Sequence, residues 1–100
     1  MTSDKSAADC QSLAEIRAQI DRLDESIVGL LATRGSYVLA AARFKHSEAE
    51  VTAPQRVEQV IARVRTMAQT QGASPDVVER VYRELIAAFT DAERDHWRKS

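Results

Sequence analysis

Cysteine, glycine, proline and aromatic residues are all scarce in this 100-residue chain, at one, three, two and five. A single cysteine, Cys10, excludes an internal disulfide, and a free thiol in a reducing cytoplasm is the simplest reading. So few glycines, prolines and aromatics favour helix over sheet. A net charge of -1 lacks the basic excess of a nucleic-acid binder. No apolar run approaches the ~18 residues of a membrane span and no signal-like segment opens the chain, so neither a membrane nor secretion is expected. Two isolated histidines and one cysteine have no ligand spacing, so no metal is expected. With no Ser-His-Asp or Cys-His arrangement and no phosphate loop in view, neither a covalent nucleophile nor a cofactor is expected.

What the chain does have is a long amphipathic stretch, Ser12 to Lys45. Ser12-Leu13-Ala14-Glu15 has the form of a capping box, with the Ser12 hydroxyl accepting from the Glu15 N–H and Glu15 reaching back. Leu13, Ile16, Ile20, Leu23, Ile27, Leu30, Val38 and Ala41 then recur at steps of three and four or their sums, which puts them on one helical face. The spacing predicts further helices from about Pro54 to Thr70 and from Pro75 onward, the latter capped by Ser74. Gly72 suits the end of the second helix, and residues 46–53 read as a loop. The expectation is one all-α domain over residues 1–100: three helices, a very long first one, and a flexible segment at residues 1–11. The first helix would extend ~50 Å. That overhangs a 100-residue globule of radius of gyration ~13 Å, so the exposed stripe predicts an obligate homodimer.

Charges set into the apolar faces point to a site. On a wheel of ~100° per residue, Arg34 and Lys45 fall within the apolar arc of the first helix, and Arg17 sits on its shoulder. Glu93 shares the apolar arc of the last helix between Tyr82 and Ile86. Buried charges are costly unless paired, so the cations call for an anionic partner. Arg34 and Lys45, ~16 Å apart along the axis, can converge on one ligand, whereas Arg17, ~25 Å from Arg34, can join only from an antiparallel partner helix. Such a pocket suits a small dicarboxylate, with catalysis by positioning and electrostatic stabilisation.

The run Leu13-Ala14-Glu15-Ile16-Arg17, Ile20-Asp21, Asp24, Ile27, Leu30-Leu31, Arg34, with Lys45 eleven residues on, resembles the all-helical chorismate mutase family. Asp9-Cys10, Ala41 to Ala49, Ala53 to Val57 and Trp97 resemble the isochorismate-pyruvate lyases of salicylate and siderophore biosynthesis within it. Mutases of that group usually have aspartate and glutamate where this chain has Ala53 and Val57. The resemblance implies an intertwined homodimer that cleaves isochorismate to salicylate and pyruvate by a cofactor-free pericyclic step, with weak chorismate mutase activity. It implies that Arg17 and Arg34 bind the two carboxylates, that Lys45 contacts the ether oxygen, and that Arg56 assists. Rival readings are a mutase of chorismate or of an amino analogue, and a non-catalytic dimeric sensing or interaction module. One departure is Glu93, where the group commonly has glutamine as a donor to the ether oxygen. An ionised carboxylate is acceptor-only, so Glu93 is expected to work protonated, with activity falling as pH rises.

Overall fold

The computed structural model describes residues 6–99 and places four α-helices among them, with no strand. They are α1 (Leu13–Ala41), α2 (Glu48–Thr52), α3 (Pro54–Gln71) and α4 (Pro75–Lys99). Short 3-10 turns precede and follow α1 at Ala7–Asp9 and Ala42–Phe44. The all-α reading with a very long first helix holds. Two details change. The helix gives way to a 3-10 turn after Ala41, so Lys45 lies beyond it in extended backbone (φ -96°, ψ 139°). The expected loop 46–53 contains α2, capped by the Ser47 hydroxyl, which accepts from the Glu50 N–H at 3.3 Å. Of the segment expected to be flexible, residues 1–5 lie outside the described residues, while Ser6 donates to Asp9 Oδ2 at 2.8 Å across the first turn.

The chain divides into two units, Met1–Gly35 and Ser36–Ser100, with α1 running through the boundary. In the first unit the Ser12 hydroxyl accepts from the Glu15 N–H at 3.1 Å, as the capping box requires. The Glu15 carboxylate, however, accepts from the Gln11 N–H at 2.7 Å, one residue earlier than the standard box. Beyond this cap the apolar stripe lies open, with Leu13, Ile20, Leu23, Ile27 and Leu30 each between 49% and 70% exposed. The segment Leu13–Phe44 is long and apolar enough, by length and composition, to cross a membrane. Arg34, Gly35 and Ser36 interrupt the segment, so it holds no continuous apolar run even though its mean hydropathy is high.

The second unit holds the core. Val60, Ile61, Val64 and Ala68 form the buried side of α3, joined by Val51 of α2 and Ala42. Their steps of one, three and four mark an amphipathic helix packed against α4. The turn between α3 and α4 is closed by Gly72, whose φ of +77° suits a residue without Cβ, and by Ala73 N–H donating to Ala68 O at 2.8 Å. Ser74 caps α4 by accepting from the Val77 N–H at 3.3 Å.

Arg83 of α4 bridges this hairpin, donating to both Glu58 oxygens at 3.0 and 3.1 Å and to Glu79 Oε2 at 2.8 Å. Arg65 donates to the other Glu79 oxygen at 2.8 Å. Hydrogen bonds from Arg83 are the main cause holding the Glu58 and Glu79 carboxyls below the usual carboxylate range. Because the folded values are depressed, this stabilisation is present above the ordinary value of 4.5 and is lost as pH falls below it through the folded values. Urea midpoints measured downward from pH 7 are expected to drop in that acid range, and to drop less in Arg83→Gln. Equal acid sensitivity of the two proteins would show that the network does not link stability to pH.

Candidate active site

Lys45 and Glu93, forty-eight positions apart, meet in the second unit. The Lys45 ammonium donates to Glu93 Oε2 at 2.9 Å. The Glu93 side chain is only 7% exposed and that of Lys45 24%. A carboxylate at that depth is costly without a partner, and the ammonium supplies one together with a hydrogen bond.

The geometry follows from the local sequence. Ala42, buried, anchors the 3-10 turn, and Lys45 N–H closes it by donating to Ala42 O at 3.2 Å. The chain then turns at once into α2, whose start is fixed on both sides. Ser47 caps it, and the Glu50 carboxylate accepts from the His46 N–H at 2.5 Å. Ser47-Glu48-Ala49-Glu50 is thus a second S-x-x-E sequence, and its glutamate also reaches one residue beyond the cap. α4 faces this segment with three residues of its last two turns. Glu93 takes the Lys45 ammonium, and the Trp97 indole N–H donates to the Lys45 carbonyl at 3.0 Å. Arg98 pairs with the Glu48 carboxylate, Nε donating at 2.6 Å. Residues 93 and 97 lie one helical turn apart, so both project from one side of α4.

Of the residues singled out from sequence, the structure therefore joins Lys45 and Glu93. Arg56 is exposed on the first turn of α3, and among the described residues no hydrogen bond or ion pair links it to either of them. Arg17 and Arg34 belong to the first unit, both on α1, with Arg17 exposed and Arg34 half-buried and engaged in an interaction of its own. The clasp made by Trp97 and Arg98 was not anticipated as a contact. No periodicity could have paired Trp97 with a main-chain carbonyl fifty-two residues away, although the S-x-x-E at Ser47 was a legible sign of α2.

The arrangement is an ammonium group held at both ends: its main chain by an indole, its charge by a buried carboxylate. Lysine has three donors, so one directed at Glu93 leaves others for a ligand oxygen that gains negative charge. No group of three or more His, Cys, Asp or Glu among the described residues is gathered to hold a metal ion.

The family described as chorismate mutase type II matches residues 16–94. The isochorismate pyruvate lyase of Pseudomonas aeruginosa is 38% identical over 96 residues, which is 96% of this chain and 95% of the relative.

Proposed function

We propose that this chain, which belongs to the chorismate mutase type II family, is an isochorismate-pyruvate lyase that cleaves isochorismate to salicylate and pyruvate. The observation that carries the reading is the full-length similarity to a lyase, joined to a Lys45 ammonium that a buried carboxylate holds in place. The family match itself favours a second reading, rearrangement of chorismate, and one site that binds either isomer accommodates both.

In the lyase reaction a hydrogen leaves the ring for the methylene carbon of the enolpyruvyl group while the ether C–O bond breaks. The ring becomes aromatic and pyruvate departs, with no covalent bond to the protein and no external redox partner. The protein's task is to bind two carboxylates and stabilise negative charge growing on the ether oxygen. Lys45 is suited to the second part. Arg34, with Arg17 of the partner subunit, is assigned to the carboxylates, which guanidinium groups bind bidentately. Arg56, at the start of α3, assists from the edge. A second protomer also accounts for the open stripe of Leu13, Ile20, Leu23, Ile27 and Leu30. A bilayer fits that stripe poorly, because Arg17, Asp21, Arg22, Asp24 and Glu25 are interleaved with it. We place the homodimer in the cytoplasm, in a salicylate-forming, siderophore-related pathway.

Glu93 enters this reading as the partner of Lys45: its Oε2 accepts from the ammonium, which is the part of an ionised carboxylate and not of the protonated donor expected from sequence.

A further inference from the structure

We propose that Trp97 is a positioning residue: by holding the Lys45 carbonyl, its indole N–H sets the point from which the ammonium is presented to substrate. The inference rests on the role given to Lys45 above.

A lysine side chain has four flexible methylenes, so where its charge sits depends on what fixes each end. At the far end, Glu93 holds the ammonium at 2.9 Å, but a substrate oxygen must share that group when it binds. An anchor on the main chain does not compete with substrate. Lys45 needs one, because it stands between two helical elements and belongs to neither. Its N–H is the last of the 3-10 turn, donating to Ala42 O, while α2 begins only at Glu48. The Lys45 carbonyl therefore lies outside both helical ladders. Trp97, half-buried, supplies a donor at 3.0 Å, and an indole N–H can only donate, so the polarity of the contact is fixed. Arg98, the next residue, ties down Glu48 in the first turn of α2. Two consecutive residues of α4 thus fasten both ends of the Lys45–Glu48 segment, and Glu93, one turn back, faces the charge that segment carries.

The test compares wild type with Trp97→Phe and Trp97→Leu, which differ in shape but both lack the donor. Steady-state rates are measured with isochorismate and with chorismate, per folded protomer as judged by far-UV circular dichroism. The expected result is a fall in kcat of about tenfold in both variants with KM changed less than about twofold, because carboxylate binding is left to the arginines. Unchanged kcat in either variant overturns the proposal, and so does a rise in KM that accounts for the loss. If the wild type turns over chorismate rather than isochorismate, the lyase reading falls while the same comparison on prephenate still decides for or against Trp97. If the wild type is silent on both substrates, both readings fall together.

Discussion

Lys45→Met is expected to lower salicylate formation at least about a hundredfold and, independently, to destabilise the fold by about 2–3 kcal/mol. The two effects share an origin and can be separated. Removing the ammonium removes the stabilisation of a developing oxyanion, and losses of that size are typical when one such donor is deleted. It also strands the Glu93 carboxylate at 7% exposure with its counter-ion gone. Breaking a fully buried pair costs about 3–5 kcal/mol, and the figure here is set lower because Lys45 keeps part of its surface in water. Thermal unfolding should register the change as a drop of roughly 10 °C for a chain of this size. The double variant Lys45→Met/Glu93→Gln replaces the stranded charge with a neutral amide. It is expected to regain stability to within about 1 kcal/mol of wild type while remaining inactive. If the double variant is as unstable as the single one, the stability loss does not come from the stranded carboxylate. If Lys45→Met keeps most of its activity, Lys45 does not stabilise the transition state.

The second large effect follows from the proposed sharing of each site between protomers. Arg17→Ala and Arg34→Ala are each expected to be inactive, because each removes one of the two carboxylate anchors from every site. Unfolded together and refolded, they are expected to regain about a quarter of wild-type activity. Random pairing makes about half of the dimers mixed, and in a mixed dimer one of two sites receives an intact Arg17 from one subunit and an intact Arg34 from the other. A mixture of Arg34→Ala with Lys45→Met supplies the control. On the proposed reading those residues serve one protomer's site, so every site in the mixed dimer would have lost one of them and no activity is expected to return. Recovery in the control, or none in the first mixture, would contradict the shared arrangement. Sedimentation of the wild type is expected to show a dimer, in which the open stripe on α1 would be covered.

Helix, cap and turn positions were readable because they depend on neighbours in sequence. Ser12, Ser74, Gly72 and Pro54 each act within a few residues, and each stands where its local chemistry predicts. The meeting of Lys45 with Glu93 was readable only as two charges that needed partners, since a helical wheel assigns a face and not a neighbour. Reading the first helix through to Lys45 failed for a related reason. Periodicity does not distinguish a final α turn from a 3-10 turn, and the difference arises where Ala42 is buried against α4. The interval 46–53 looked irregular because α2 is a single short helix, too brief to show an apolar period, and only its capping residues mark it. Trp97 lay furthest from view. A contact between an indole and a backbone carbonyl carries no signal in spacing, charge or hydropathy.

The choice of isomer is tested most directly by the relative turnover of the two substrates by the purified protein. Equal concentrations of isochorismate and chorismate are supplied separately, and salicylate and prephenate are followed under identical conditions. Salicylate is expected from isochorismate far faster than prephenate from chorismate, with pyruvate released in equal amount to salicylate. Prephenate formed faster than salicylate would contradict the lyase reading.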